Sequence, residues 1–189
     1  MTPPSPSESP RERLLATASA LFYDEGIHAV GVDRIVTEAR VPRATLYRHF
    51  AGKEGLVLAY LRGEDAGIRS LAAQAAAAPP EEQLGLAVLA IAQDIAQRHT
   101  RGCPFINAAA EYPDPASEVR ELIDAHRAWF RQSLEQAAEA AGVQDPAGAA
   151  AQLVLLRDAA LVGGYLDGAD RVVESFLAAA SAVTGLPRH

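Results

Sequence analysis

A chain of 189 residues, 49% of them apolar, is long enough to bury a core as one large domain or two small ones. Its single cysteine, Cys103, excludes an intramolecular disulfide and a zinc site built on thiolates. Scarce aromatics beside abundant alanine favour helices over sheets, and a net charge of −7 argues against a protein that coats nucleic acid indiscriminately.

Residues 1–8 are rich in Pro and Ser without periodicity and are expected to form a disordered tail. Met1 to Arg13 holds no apolar run of the kind a secretory signal needs. Ser9-Pro10-Arg11-Glu12 then predicts a helix start, with Ser9 and Glu12 as a capping box and Pro10 in the first turn. Leu14, Leu15, Ala18, Leu21 and Phe22 form its apolar stripe, and Gly26 is its natural stop. A short second helix is predicted at 32–39, with Val32, Ile35, Val36 and Ala39 on one face. After a tight turn a third begins near Arg43, with Leu46 and Phe50 inward and Arg43, Thr45, Tyr47 and Arg48 on the other sides. Two short helices joined by such a turn make a helix-turn-helix.

A longer helix is predicted from Lys53 into the alanine run before Pro79-Pro80, and another over 81–99 on the stripe Leu84, Val88, Ile91 and Ile95. Gly102-Cys103-Pro104 breaks it, a short helix spans 104–112, and Asp114 is the expected cap of the next long helix, which Gly142 ends. Asp145-Pro146 opens a helix to about 166 that is apolar nearly all round, interrupted by Gln152, Arg157 and Asp158. Such a helix needs cover on more than one side, and in a chain this small a second subunit is the expected cover. The last helix, 170–184, ends at Gly185 and Pro187. No strand pattern occurs, and no stretch approaches the ~20 uninterrupted apolar residues of a membrane span, so a soluble cytoplasmic protein without a membrane partner is expected.

The charge is unevenly spread. Residues 1–63 carry eight Lys/Arg against seven Asp/Glu, whereas residues 64–189 carry nine against seventeen. Within 34–53, Arg34, Arg40, Arg43, Arg48 and Lys53 face only Glu38. A small basic patch on an acidic body suits a DNA reader that makes its contacts at one end.

Residues 14–60 closely resemble the DNA-binding domain of the tetracycline-repressor (TetR) family of bacterial regulators. The likeness is strongest in the run from Ile35-Val36-Thr37-Glu38-Ala39-Arg40-Val41-Pro42 through Arg43-Ala44-Thr45-Leu46-Tyr47-Arg48-His49-Phe50, followed by Lys53-Glu54. A looser likeness covers Gly102 to Ala108 and the helix after it. The resemblance implies an all-α protein of about nine helices. Residues 9–52 would be the helix-turn-helix domain and 53–189 a helical ligand-binding and dimerisation domain. The implied partners are double-stranded operator DNA, a small-molecule effector and a second copy of the chain, with no cofactor.

The residue types agree with these roles. Arg43 can reach a guanine edge or a phosphate, Thr45 a thymine methyl or a phosphate, and Ala44 allows close approach to the groove. Tyr47 and His49 resemble the family's phosphate-contacting positions; packing on the surface for Tyr47, or a cap for His49, is the plainer alternative. Lys53 opens the fourth helix, where free N–H groups also favour an anion. Two positions depart from the family pattern. Arg40 stands where glycine is usual in the turn, so either the turn differs or Arg40 accepts a strained positive φ. Pro42 stands where serine is frequent, and it lacks that side chain's phosphate contact.

For the body, candidate effector contacts are polar or aromatic residues that break apolar stripes: His99, Cys103, Phe105, Asn107, Glu111, Tyr112, His126, Trp129, Phe130, Asp158 and Tyr165. His126 reads equally as a satisfied core histidine, and Cys103 as a small buried hydrophobe or a redox sensor. The 146–166 and 170–184 helices suit a four-helix bundle with their symmetry mates, which implies a palindromic operator. An enzyme is not expected, because catalytic and metal-binding motifs are missing from the sequence. The competing reading is a helical interaction module that no longer binds DNA.

Overall fold

The computed structural model describes residues 9–187; the tail expected at 1–8 lies outside them. Ser9 starts the first helix as its sequence demands. Its hydroxyl accepts from the Glu12 N–H at 3.2 Å, and the Glu12 carboxylate accepts from the Ser9 N–H at 2.8 Å. The helix α1 (Pro10–Glu25) stops at Gly26, whose φ of 96° an L side chain would resist. There follow α2 (Val32–Glu38), α3 (Arg43–Phe50), α4 (Lys53–Ala76), α5 (Pro80–Gln93), α6 (Pro104–Glu111), α7 (Glu118–Ala140), α8 (Pro146–Asp167) and α9 (Ala169–Thr184). Among the described residues there are nine α-helices and no strand, the all-α architecture that the stripes predict.

Two local expectations are corrected. The helix expected as one piece over 81–99 ends its α-helical part at Gln93 and continues as a π-helical turn, Asp94–Arg98, closed by the His99 N–H on the Asp94 carbonyl. Asp114 does not cap α7. Its carboxylate accepts from the Ala116 N–H at 2.9 Å, closing a turn, and Ser117, 3.3 Å from the Arg120 N–H, caps the helix instead. Asp and Ser both compete for nearby N–H groups, and the one adjoining the first helical turn takes the cap. At α8 the expected start is present: Asp145 accepts from the Gly148 N–H at 3.0 Å, with Pro146 in the first turn.

The described residues divide into two compact units: those up to Glu64 with Pro104–Ile123, and Asp65–Cys103 with those from Asp124 on. In the first, Leu14, Leu21 and Phe22 of α1 are buried with Ile35 of α2, Leu46 and Phe50 of α3, and Leu56 and Val57 of α4. In the second, Leu84, Ile95, Leu153, Leu161 and Phe176 are buried at the core, and α8 packs along α9.

By length and composition alone, α8 is apolar enough to cross a membrane, although Gln152, Arg157 and Asp158 interrupt its apolar run. It carries a buried Arg157 and ion-paired Asp158 near its middle. That pattern is also the one of a helix covered on more than one side.

Candidate nucleic-acid interface and effector cavity

The turn between α2 and α3 is tight because Arg40 adopts φ of 52°. Of the two possibilities open for this residue, it accepts the left-handed conformation, at a cost of roughly 1–2 kcal/mol. Val41 is buried behind the turn, and Pro42 supplies the extended backbone from which α3 departs. On α3, Arg43, Ala44, Tyr47, Arg48 and His49 are exposed, while Leu46 and Phe50 are buried as their spacing requires. Thr45 is the exception to the expected outward set: it is 8% exposed, buried together with Leu46. Tyr47, 49% exposed, is a large ring left on the surface.

Two of the basic residues already have acidic partners. Arg43 pairs with Asp33, its Nη2 donates to Tyr47 Oη at 3.3 Å, and its guanidinium lies 5.7 Å from the Tyr47 ring centre. Arg34 donates to Glu38 at 2.7 Å and to both carboxylate oxygens of Glu25. These hydrogen bonds, those to Glu25 foremost, raise the Arg34 guanidinium further above its ordinary value. Its charge is thereby committed to joining α1 to α2, a role its sequence position does not reveal. Arg40 and Arg48 have no acidic partner among the described residues. Lys53 is 3.5 Å from the His28 carbonyl, and partial burial lowers its pKa against the opposing pull of Glu111.

Asp33 therefore withholds part of the basic patch, which leads to a prediction. Asp33→Asn is expected to tighten binding to duplex DNA roughly three- to tenfold at low salt, by releasing Arg43 and removing a negative charge. Fluorescence anisotropy of a labelled duplex at two salt concentrations checks it; equal affinity for both proteins would mean the Arg43–Asp33 pair does not compete with phosphate.

In the same unit, Glu111 at the end of α6 accepts from the Ile27 N–H at 2.8 Å and the His28 N–H at 2.6 Å. His28 Nδ1 lies 3.6 Å from that carboxylate, and the His28 ring lies 5.4 Å from that of Tyr112. Burial, with Glu54 and Glu111, pushes the Tyr112 phenol up. Glu111 and Tyr112, counted among candidate effector contacts, thus hold the loop that follows α1.

The other unit contains a cavity of about 340 Å³ bounded by α4, α5, α7 and Arg157 of α8. Trp129 and Phe130 line it, as do Ile68, Leu71, Ile91 and Leu134. The remaining candidates are placed otherwise. Tyr165 is 54% exposed on α8. Asp158 pairs with Arg127 at 2.7 Å. His99 is buried with Asp94 at 2.8 Å. Cys103 and Phe105 are each 1% exposed, and Asn107 is half-buried on α6. Cys103 is buried with its sulfur 3.7 Å from Arg157 Nη1. The cavity's charged residues Arg69, Asp94 and Arg157 are not among the expected contacts, although Asp94 and Arg157 stand in the sequence as charges within apolar stretches.

His126 packs behind the cavity wall. It is 2% exposed, its Nδ1 is 2.7 Å from Asp65, and its ring stacks on Phe130 at 6.1 Å. Arg69 donates to the other Asp65 oxygen at 2.7 Å and lies over Trp129, 4.0 Å from the ring centre. Burial lowers the His126 pKa and outweighs Asp65. Burial would raise Asp65, but hydrogen bonds from Arg69 and His126 hold it below its ordinary value.

Both folded pKa values are depressed, so the unfolded chain binds protons that the folded chain refuses. The contribution to stability is complete above neutral pH. It is lost first as pH falls through the ordinary histidine range and then through the carboxylate range. Thermal unfolding is expected to show Tm falling between about pH 7 and about pH 5, with a shallower fall in His126→Gln. An identical slope in both proteins would remove His126 from this role.

An exposed, basic and aromatic second helix in a helix-turn-helix, in a chain whose other helical unit holds a cavity, is the pattern of a transcription regulator. Residues 14–60 match the model for bacterial regulatory proteins of the tetR family, and residues 86–180 that for the tetracyclin repressor-like C-terminal domain. The crystal structure of SCO4454, a TetR-family transcriptional regulator from Streptomyces coelicolor, is 44% identical over 93% of this chain and 94% of that one, with a TM-score of 0.88. The chain belongs to the TetR family of transcriptional regulators, and as such it is a non-enzymatic regulator. The HTH-type transcriptional activator FasR of Mycolicibacterium smegmatis is 44% identical over 57 residues, 30% of this chain. That match spans about a quarter of FasR, 26% of its length. The structure of AibR in complex with isovaleryl coenzyme A and operator DNA shares the fold, with a TM-score of 0.69 at 21% identity over 93% of this chain and 98% of that one.

Proposed function

We propose that this chain is a ligand-responsive repressor that acts in the cytoplasm, binds a palindromic operator as a homodimer, and is released by a small-molecule effector. The observation that carries the reading is α3. It stands clear of the protein along Arg43, Ala44, Tyr47, Arg48 and His49 and is anchored from behind by Leu46 and Phe50. Residues 9–52 read DNA and 53–189 sense and dimerise, with α6 packed into the DNA-reading unit. The left-handed Arg40 closes the turn without glycine, so that departure from the family pattern does not weigh for a module that has lost DNA binding.

Dimerisation is supported by α8, where Leu155, Val162, Tyr165 and Leu166 are exposed apolar or aromatic side chains. A two-fold axis through such a face would place two copies of α3 on two half-sites. An effector that binds better to the other spacing of those helices lowers DNA affinity by its differential affinity alone. AibR, which shares the fold, has been crystallised in complex with isovaleryl coenzyme A and operator DNA, so in that protein one chain takes both a small molecule and DNA.

Selection of duplexes from a random pool, at two salt concentrations, tests the reading. Enrichment of a palindrome whose affinity falls steeply with salt supports it; no enrichment at low salt favours the interaction module. Transcription from a template carrying the selected site should fall as protein is added.

A further inference from the structure

The polar end of the cavity holds groups that the fold leaves half-used. Arg157 is 4% exposed. Its Nη1 faces Asp158 Oδ1 at 3.4 Å and Cys103 Sγ at 3.7 Å, and its guanidinium carbon lies 4.9 Å from the Phe130 ring centre. Its Nη2 is buried without a hydrogen-bond partner among the described residues. Asp94 Oδ2 lies 4.0 Å from it, beyond hydrogen-bond reach. Asp94, 8% exposed, lines the same cavity, and its other oxygen faces His99.

A buried N–H without an acceptor beside a carboxylate oxygen just out of its range suits a group that accepts from one and donates to the other. Charge balance decides which group. Arg157 and Arg127 stand against Asp94 and Asp158, and Arg69 is matched by Asp65. A ligand carboxylate would lie beside Asp94 with no spare cation, and an ammonium beside Arg157 with no spare anion; either charge would be buried uncompensated. A hydroxyl adds no net charge and fills both roles. Apart from Gln83, Ser133 and Gln136, the rest of the wall is aliphatic and aromatic, with alanines of α4 and α5 that leave room for a ring.

We propose that the effector is an uncharged, largely apolar, ring-sized molecule whose hydroxyl bridges Arg157 Nη2 and Asp94 Oδ2. The inference rests on reading this cavity as the effector site. Trp129, the single tryptophan of the chain, lines the cavity, so its emission reports occupancy. The full-length protein is titrated with four probes of one shape: para-propylphenol, propylbenzene, para-propylbenzoate and para-propylbenzylammonium. The phenol is expected to bind about tenfold or more tightly than the other three.

Arg157→Met and Asp94→Asn should each bring the phenol to within about twofold of propylbenzene while leaving propylbenzene itself unchanged, which also shows that the cavity is intact. Tightest binding by the benzoate or the ammonium overturns the proposal, as does equal binding of phenol and propylbenzene, or an emission that none of the probes changes. Phenol binding that leaves affinity for the selected operator unchanged supports the chemistry of the site and sinks its reading as the effector site. Absence of any selected operator tells against the regulator reading, independently of the probe titrations.

Discussion

Replacing Gly55 with alanine is expected to unfold the DNA-reading unit at temperatures where the native protein is intact. A Cβ at this position would lie 1.7 Å from the Phe50 carbonyl oxygen and 2.7 Å from its carbon. Both are backbone atoms, so neither can swing away as a side chain would. The close approach has a local cause. Phe50 ends α3 in the core, Ala51 turns the chain at φ of 49°, and Gly52 continues it at φ of 105°, so the first turn of α4 folds directly against the last carbonyls of α3. Helix propensity alone argues the opposite result, a gain of about 1 kcal/mol for alanine over glycine. Overpacking against backbone outweighs that gain, with an expected loss of roughly 3 kcal/mol. Gly63, exposed on the same helix with nothing within 4 Å of its would-be Cβ, is the internal control. Gly63→Ala should melt at or slightly above the native temperature, and Gly55→Ala well below it, with loss of DNA binding. Melting of both variants at the native temperature would show that the α3–α4 junction relaxes freely.

The double substitution Leu155→Glu with Leu166→Glu is expected to give a folded monomer that no longer holds its operator. The two leucines are 68% and 69% exposed and, with Val162, recur at helical spacing along one face of α8. The opposite face, with Leu153, Arg157 and Leu161, is buried within the unit and is untouched by the change. In a two-fold dimer each protomer presents the same patch, so two substitutions bring four like charges into one apolar contact. Standard interfaces bury on the order of 1,600 Å², and uncompensated charge at the centre of one is expected to weaken association about a thousandfold or more. Sedimentation would register the monomer, and operator affinity should fall with it, because a single α3 grips only a half-site. A variant that stays dimeric and keeps its operator would place the dimer contact elsewhere on the protein.

How much of this was legible in the residues depends on the range of the interaction. The capping box at Ser9 and Glu12, the Asp145-Pro146 start, the stops at Gly26 and Gly185, and the buried stripe of each helix are set by groups within a turn or two of one another. Such features follow from spacing and backbone hydrogen-bond needs alone, and they sufficed for the all-α fold and for α3 as the exposed helix. Competition among neighbours is already harder to read: Ser117 took the cap that Asp114 could have held, and Thr45 turned inward on a helix whose outward face surrounds it.

Side-chain partnerships drawn from distant helices required the tertiary structure. Arg34 is neutralised from α1 by Glu25, Glu111 reaches back 84 positions to the Ile27 N–H, and Arg157 lies 4.0 Å from Asp94, a residue more than sixty positions earlier in the chain. The sequence by itself determined where helices begin, end and bury their apolar faces, because those choices are made locally. Only packing decided which charges cancel, which polar groups remain unmet in the cavity, and which leucines are left on the surface, because these depend on where one helix face lands on another.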